Sequence, residues 1–414
     1  MMKKPSSRLF KILYAGLFLG VILTGAVFSV VTAWRSLQSD ADGKPFAQTI
    51  SKALVDRFPG HNLFIDLYGG LMRMLGQRTC NAVVRLTDGR LIRESGYQDV
   101  TRIADALKEE AGHLLAKGIP FLFVPAPDGV DRHQRLLPRG IHAEANHCAR
   151  DLMAKLREGG VDSLDLEDHL TDTPQSVSRY FYKTDHHWNC LAAREVAALV
   201  AERVCRKLGL DAPDCRAIFL DDRNWTSHTV KNAWLGRRGA RVGRYFAGLD
   251  DFTWYTTTRK SRMSSYSGSK LLKSGDFNSV VISQEHLKFL GRYHEVTGAF
   301  GGTPSEVYGG GSGSCGELTF VNEDAPIDRR ITVVRDSFGK SVAACLALAF
   351  REVVLLDPRN LPKDALLRNT VARTHPDMVV EIVSAEWAAA PIYRRIDDSG
   401  SYRWKFFKWK TGRP

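Results

Sequence analysis

The stretch Ile331-Thr332-Val333-Val334-Arg335-Asp336-Ser337-Phe338-Gly339 runs from apolar residues into polar ones and ends at a glycine. Its apolar part predicts a buried strand, and the residues after it predict a helix over 339–350. Ser337 is therefore expected at a strand-to-helix turn, where the first N–H groups of the helix can stabilise an oxyanion. The alternative is that Asp336 or Ser337 only caps the helix.

Strands and helices alternate on both sides of this unit. Further strands are predicted at 119–124, 161–166, 352–356 and 378–384, and helices at 101–117, 143–157, 189–208 and 361–373. Such alternation is typical of a parallel sheet with helices on both faces. Residues 82–93 predict a hairpin with Asp88-Gly89 at its turn. Residues 216–325 break the alternation and predict an irregular, partly β insertion, a kind of segment that often shapes a substrate groove.

The segment Ile12 to Trp34 carries no charged residue, and roughly 20 apolar residues suffice to cross a bilayer. Lys3, Lys4, Arg8 and Lys11 precede it, so the positive-inside rule predicts a cytoplasmic N-terminus and an extracytoplasmic remainder. A cleaved signal peptide is the alternative, although its apolar region is normally shorter. The predicted organisation is a cytoplasmic tail (1–11), a transmembrane anchor (12–34), a linker and helical approach (35–57), a catalytic domain (58–390, with the insertion 216–325) and a basic C-terminal tail (391–414).

The chain has 414 residues and a formal net charge of +12. A basic surface attracts anionic partners such as an acidic polysaccharide, lipid head groups or nucleic acid. We expect no nucleic-acid partner, because no nucleic-acid-binding motif occurs and the inferred compartment argues against one; a plain solvated surface would equally explain the charge. Seven cysteines show no metal-binding spacing. Cys205 and Cys215 flank a predicted helix end and could pair, and the odd count leaves at least one free thiol.

The stretch Thr184-Asp185-His186-His187-Trp188 offers an acid and a base two residues apart. In an extended segment Asp185 and His187 share one side, and His186 points to the other. With Ser337 they supply the acid, base and nucleophile of a triad, which is recognised by roles and not by chain order. One alternative is that Thr184 or Asp185 caps the following helix. Another is a metal site at the two histidines, for which no further ligand lies nearby in the sequence.

Asp-x-His-Trp followed by a strand-borne Asp-Ser-Phe resembles the alginate O-acetyltransferase family of the AlgX/AlgJ type and its DHHW-protein relatives, which are similar to SGNH hydrolases. Four weaker matches agree with the family's early Phe-Pro, Val-Pro, Asp-x-Arg and closing Pro-Asp regions; they are Phe58 to Asn62 with Leu67-Tyr68, Val124 to Pro138, Leu356 to Arg359, and Pro376 to Glu386. Asp128 and Asn62 stand where many relatives carry lysine and arginine.

The resemblance implies an SGNH-hydrolase-like three-layer α/β sandwich with a mostly parallel sheet. It implies an O-acetyltransferase that acts on an exopolysaccharide, alginate-like or another acidic polymer, in the periplasm. The protein would be a single-pass protein of the bacterial inner membrane. Ser337 would be the nucleophile that carries the acetyl group, His187 the general base and Asp185 its orienter. The donor would be a multi-spanning membrane acyl-transfer partner, and no cofactor or metal is expected.

Further residues near these motifs are candidates for substrate binding. Trp188 could stack on a sugar ring, and a sugar carboxylate or phosphate could be held by Tyr182, Lys183, Arg335 and Arg359. The alternative for each is a surface or structural role, and for Trp188 it is core packing. Two other functions remain open from the sequence. They are an SGNH-type acetylesterase acting on a glycan or lipid, and a non-catalytic polysaccharide-binding or export protein.

Overall fold

The computed structural model describes residues 61–211, 214–288, 290, 304–309, 316–361, 367–386, 395–396 and 402–403, and a few helical positions between 15 and 31. The predicted linker 35–57 lies outside the described residues, as do most of the predicted anchor 12–34 and of the tail 391–414. Within the part of the chain that is described, no helix is both long and apolar enough to cross a membrane.

The described helices are numbered in chain order. They are α1 (His61–Met74), α2 (Thr101–Leu115), α3 (Ala145–Glu158), α4 (Glu167–Leu170), α5 (Pro174–Tyr180), α6 (Cys190–Lys207), α7 (Cys215–Leu220), α8 (Arg237–Val242), α9 (Arg244–Ala247), α10 (Phe277–Val281), α11 (Gln284–Leu287), α12 (Pro304–Val307), α13 (Ser337–Leu346) and α14 (Leu367–Arg373). Cys205 and Cys215, which could have paired, are buried free thiols in contact where α6 and α7 meet.

The described strands are numbered in the same way. They are β1 (Thr79–Cys80), β2 (Val83–Arg85), β3 (Leu91–Ile92), β4 (Phe121–Ala126), β5 (Asp162–Ser163), β6 (Trp225–Trp234), β7 (Asp250–Thr257), β8 (Met263–Ser267), β9 (Lys270–Gly275), β10 (Glu317–Asn322), β11 (Ile327–Arg335), β12 (Phe350–Leu356), β13 (Met378–Ser384), β14 (Arg395–Ile396) and β15 (Tyr402–Arg403). The predicted hairpin is confirmed: β2 pairs with β3 in antiparallel register, and Gly89 at the turn has φ +87°.

The central sheet has eight strands in the order β5-β4-β13-β11-β12-β10-β8-β9. Neighbouring strands from β5 to β12 are parallel, whereas β10, β8 and β9 continue the sheet in antiparallel pairing. The sheet is therefore mixed, with parallel pairing in four of its seven neighbouring strand pairs. The antiparallel strands come from the segment predicted as an insertion, and such strands pair without the long crossover helix that a parallel neighbour requires.

Side chains of β4 show how the sheet separates two apolar layers. Phe121 and Phe123 pack with residues of α2 and α3, while Leu122 and Val124 pack with residues of α6 and α13. Successive residues of a strand point to opposite faces, so a fully apolar strand fills both layers. The result is an α/β fold in which helices cover both faces of the sheet.

Two predicted elements differ from the observed ones. The strand predicted at 161–166 is reduced to β5, because the Asp165 carboxylate accepts a hydrogen bond from the Glu167 N–H at 2.9 Å and turns the chain into α4. The helix predicted at 339–350 begins earlier, at Ser337, and ends at Leu346. Phe350 instead opens β12 and pairs with Ile327 of β11.

The start of α13 lies close against the sheet. A Cβ added at Gly339 would come within 2.7 Å of the Arg335 Cβ and 3.0 Å of the Ile382 carbonyl oxygen. Only glycine leaves room for this approach. The first turn of α13, with Ser337 at its beginning, is thereby held at the carboxyl ends of β11 and β13, the edge where open α/β sheets commonly place their ligand sites.

Candidate active site

Asp336 builds the turn that presents Ser337. Its side chain accepts hydrogen bonds from the Phe338 N–H at 2.8 Å and, through the other oxygen, from the Ser384 N–H at 2.8 Å. Asp336 is therefore the helix cap that the sequence allowed, and it also ties the turn to the end of β13. The hydroxyl of Ser337 is not used for capping, and this residue is only half-buried.

Three side chains form a continuous hydrogen-bonded chain at this turn. The His187 Nε2 lies 2.7 Å from the Ser337 Oγ, and the His187 Nδ1 lies 2.6 Å from the Asp185 Oδ1. A carboxylate can only accept, so the proton of the neutral imidazole is assigned to Nδ1, and Nε2 accepts from the serine hydroxyl. This is the geometry in which a histidine can take a proton from a serine.

A second layer of contacts fixes the acid of this chain. The Asp185 Oδ1 also accepts from the His187 backbone N–H at 2.9 Å, and its Oδ2 accepts from the Arg237 N–H at 2.6 Å. Both carboxylate oxygens are thus occupied. The orientation of Asp185 is set by backbone donors as well as by the imidazole.

Thr184 connects this segment to the strands β6 and β7. Its hydroxyl donates to the Asp250 carboxylate at 2.6 Å and accepts from the Gly236 N–H at 2.8 Å. The Asp250 carboxylate also accepts from the Thr184 and Lys183 N–H groups. Neither Gly236 nor Asp250 belongs to a motif that the sequence analysis singled out.

The electrostatic environment keeps the acid charged. Burial by itself raises the pKa of Asp185, but electrostatic interaction with the His186 and His187 rings and the hydrogen bonds from His187 and the Arg237 N–H lower it well below its usual value. The pKa of His186 is lowered well below 6.5, first by burial and then by the neighbouring His187, with Asp185 opposing the shift. At neutral pH the site therefore holds a carboxylate beside an uncharged His186.

His186 lies against His187, and this corrects the expectation that it points away. The two ring centroids are 3.9 Å apart, and the His186 ring also lies 5.8 Å from that of Phe338. Residues 183–187 form a series of bends and not a strand, so the alternation of a strand does not apply. The ligand atoms of Asp185, His186 and His187 lie within 4.8 Å of one another, but a metal there would compete for the atoms that hydrogen-bond within the serine–histidine–aspartate chain.

Two of the residues proposed for substrate binding lie in the core. Trp188 is 1% exposed and packs edge-on against Phe338 at 5.3 Å. Tyr182 is 5% exposed and lies between Trp234 and Phe252. Burial leaves neither ring surface for a sugar, which matches the core-packing alternative for Trp188 and gives Tyr182 a structural place.

The three basic candidates for substrate binding differ in how far they are exposed. Arg335 is buried and donates to the Asp357 carboxylate at 3.0 Å. Arg359 donates to both oxygens of the same carboxylate at 2.7 Å, with 27% of its side chain exposed. Burial raises the pKa of Asp357, but the two arginines outweigh burial and lower it. Lys183 is exposed, so Arg359 and Lys183 are the candidates whose side chains reach the surface.

The buried Arg238, which the sequence analysis did not single out, links several segments around the site. Arg238 donates to Asp128 at 3.0 Å, to Glu386 at 2.7 Å and to the Leu91 carbonyl at 3.0 Å. Burial lowers the pKa of Arg238, but the two carboxylates more than offset this and raise it. Asp128, which departs from the lysine of many relatives, thus serves as a partner for Arg238. The contacts tie α8, which carries Arg237, to the ends of β4 and β13.

The α/β layers place a serine at the carboxyl end of a central strand and a histidine–aspartate pair against it, which is the arrangement of a catalytic serine triad. Residues 86–236 match the family described as "ALGX: SGNH hydrolase-like domain, acetyltransferase AlgX". This match confirms the resemblance drawn from the motifs. It includes Asp185 and His187 and ends before Ser337.

Solved structures share the fold over most of the chain. "Structure of Bacillus cereus PatB1 with sulfonyl adduct" matches with a TM-score of 0.56 and 16% sequence identity, covering 76% of this chain and 97% of that one. A DHHW family protein from Eubacterium siraeum DSM 15702 matches with a TM-score of 0.54 and 16% identity, covering 75% and 93%. At such identities the likeness establishes the fold alone. A comparison with curated proteins found no match.

Proposed function

We propose that this protein is an O-acetyltransferase that moves acetyl groups onto hydroxyls of an extracytoplasmic polysaccharide through an acetyl-serine intermediate. The observation that carries the proposal is the unbroken chain from Asp185 through His187 to Ser337, with distances of 2.6 and 2.7 Å. The match of residues 86–236 to the AlgX acetyltransferase domain supports acetyl transfer as its chemistry.

In the first half-reaction Ser337 attacks the carbonyl carbon of an acetyl ester. The hydroxyl proton passes to the His187 Nε2, the Asp185 carboxylate stabilises the imidazolium, and the tetrahedral oxyanion is stabilised by N–H groups of the first turn of α13. Collapse of the tetrahedral species breaks the bond to the donor oxygen, which takes the proton from His187. Ser337 is left as an acetyl ester.

In the second half-reaction a sugar hydroxyl attacks the acetyl-serine. His187 takes the hydroxyl proton, and a second tetrahedral species collapses to the acetylated sugar and free Ser337, which recovers the proton. Water can make the same attack, in which case the protein is an acetylesterase. The two outcomes differ in whether an acceptor sugar is bound and water is excluded.

We propose an acidic polymer as the acceptor. The net charge of +12 favours an anionic partner, and Arg359 is held by Asp357 with part of its side chain at the surface near the carboxyl end of β12. Lys183, two residues before Asp185, is a second exposed cation. A guanidinium presents paired N–H groups that suit a sugar carboxylate.

The proposed setting is the periplasmic face of a bacterial inner membrane, with Ile12 to Trp34 as a single-pass anchor. One spanning segment cannot pass acetyl groups across a bilayer. We therefore propose a multi-spanning membrane acyl-transfer partner as the source of the donor. The uncharged stretch and the basic residues before it support this arrangement.

The test is acetyl transfer by the purified full-length chain in detergent. It is incubated with an activated acetyl ester, with and without acidic oligosaccharides, beside Ser337→Ala; mass spectrometry follows acetylation of Ser337 and of the sugar. An adduct that moves to sugar supports the transferase, and one released only to water supports the esterase. If the folded wild-type protein forms no more adduct than Ser337→Ala, a non-catalytic binding or export role replaces the proposal. Because the similar PatB1 structure holds a sulfonyl adduct, a sulfonyl fluoride offers a second probe of Ser337.

A further inference from the structure

Helix α1 presents an apolar stripe to solvent. Its seven members are each at least 46% exposed; they are Leu63, Phe64, Leu67, Tyr68, Leu71, Met74 and, just past the helix end, Leu75. At 3.6 residues per turn these positions fall within an arc of about 140°. A continuous stripe of this width, in contrast to scattered surface leucines, indicates a contact with another apolar phase.

The opposite face of α1 is fixed to the protein. A Cβ at Gly69 would come within 1.8 Å of the Val242 carbonyl oxygen, which shows how closely α1 lies on α8. Asp66 accepts from the Arg244 N–H at 2.7 Å and pairs with its side chain at 2.8 Å. The inner face is thus built for packing, so the outer stripe is a surface of the folded domain.

We infer that this stripe lies in the interface of the bilayer to which Ile12 to Trp34 is proposed to anchor the chain. Residues 35–60 join the two segments and span at most about 90 Å even when fully extended. A tethered surface meets the membrane as an intramolecular event, so a modest interfacial affinity is enough to hold it there. The inference rests on the proposed anchor and is independent of the catalytic reaction.

The charges around α1 complement anionic lipid. The one acidic residue of the helix is Asp66, which is buried and paired with Arg244. Arg73, in the last turn, and Arg78, soon after it, are exposed. Arg73 lies about 80° around the helix from the nearest edge of the stripe. The two exposed arginines therefore add a positive charge near the apolar and aromatic face, which favours an anionic interface.

Docking of α1 would also orient the active site. Helix α1 packs on α8 and α9, and the first residue of α8, Arg237, donates its N–H to Asp185. The helix on the lipid and the backbone that holds the acid are therefore joined through one packed unit. This contact would set the height and direction of Ser337 relative to the membrane.

The test uses the full-length chain in vesicles of phosphatidylethanolamine and phosphatidylglycerol. A photo-crosslinking benzoylphenylalanine replaces Leu67, or Met74 in a second variant. It replaces Leu271, a similarly exposed leucine on β9 at the far edge of the sheet, in the control. After irradiation, mass spectrometry identifies the adducts. We expect several-fold more lipid adduct at Leu67 and Met74 than at Leu271, and a loss of the Met74 adduct in Leu67→Glu/Leu71→Glu.

Each contrary result points elsewhere. Equal lipid adduct at all three positions, or a chain that does not stay with the vesicles, overturns the inference. Adducts to a second copy of the chain or to another protein would show that the stripe contacts that protein and not lipid. If the inference holds, the Ser337→Ala variant gives the same pattern of lipid adducts as the wild type. A failure of the proposed catalysis is thereby distinguished from a failure of membrane docking.

Discussion

Gly236 lies directly against Asp185: a Cβ added to this glycine would come within 2.4 Å of the Asp185 Cβ and 2.8 Å of its Cα. The next residue, Arg237, donates its N–H to the Asp185 carboxylate at 2.6 Å. The acid of the candidate triad is therefore positioned by a backbone segment that approaches it at a distance only glycine permits.

We expect Gly236→Ala to impair ester cleavage while leaving the protein folded. The added methyl must push Asp185 aside, and a misplacement of about 1 Å in a catalytic constellation can cost about 100-fold in rate. Steady-state kinetics on a chromogenic acetyl ester measure the loss, and circular dichroism checks the fold. Gly112→Ala is the matched control, because a Cβ at Gly112 meets no atom within 4 Å. Equal activity of the two variants would contradict the positioning role.

Asp185→Asn tests the acid itself. Both Asp185 oxygens accept from N–H groups, and an amide has only one acceptor oxygen. With that oxygen toward the Arg237 N–H, the NH2 group faces His187 Nδ1 and imposes the tautomer in which Nε2 is protonated and cannot accept from Ser337. This substitution in serine triads lowers kcat by about 10,000-fold. We expect a loss of that order, close to that of His187→Ala, measured with the same ester. A loss of less than about tenfold would show that the Asp185–His187 contact of 2.6 Å is structural and not catalytic.

The strand, turn and helix around Ser337 follow from local pattern. A short β-rich apolar run followed by a helix is a strong local signal, and the last strand of the sheet was predicted with its observed bounds, Met378–Ser384. Asp185 and His187 do lie together, as predicted, but they meet through bends and not through the extended segment on which the two-residue spacing argument depends. The same argument misdirected His186, because residues 183–187 bend and the period of a strand does not hold there.

The features that the sequence analysis did not identify depend on contacts between residues far apart in the chain. Gly236, Arg237 and Asp250 act on Asp185 and Thr184 from more than 50 residues away, and nothing in their own neighbourhood marks that role. The last two strands of the sheet, β8 and the edge strand β9, consist largely of serine, lysine and glycine. One-sided exposure tolerates polar residues in such strands, so their sequence shows no apolar alternation and the mixed character of the sheet stays hidden.

His186 predicts a pH dependence of stability. Its pKa in the folded protein lies well below the usual 6.5, so between these two values the unfolded chain binds more protons than the folded one. Stability must then fall as pH decreases below 6.5, by up to about 1.4 kcal/mol per pH unit from this residue. Urea unfolding of wild type and His186→Asn from pH 7.5 to 5 measures it. We expect a flatter profile for the variant; parallel profiles would show that His186 protonates normally in the folded state.

Arg238→Met predicts a large loss of stability. It leaves the buried Asp128 carboxylate without its cation, and removal of one partner of a buried ion pair costs about 3–5 kcal/mol. Urea unfolding at pH 7 gives the difference in free energy. Arg223→Met is the control, because the Arg223 side chain, which pairs with Asp221, is 89% exposed and such surface pairs contribute little to stability. Similar losses in the two variants would mean that Arg238 does not hold the site together.

Arg359→Gln separates binding of an acidic acceptor from the chemistry at Ser337. Removing the guanidinium of this side chain, which is 27% exposed beside Asp357, should raise KM for an acidic oligosaccharide while the ratio of kcat values for acidic and neutral acceptors changes little. Loss of one charge-assisted hydrogen bond, worth about 1.5–3 kcal/mol, corresponds to an increase in KM of roughly 10- to 100-fold. Transfer assays with paired acidic and neutral oligosaccharides of equal length measure it. A KM that rises equally for both acceptors would assign Arg359 to the support of Asp357 alone.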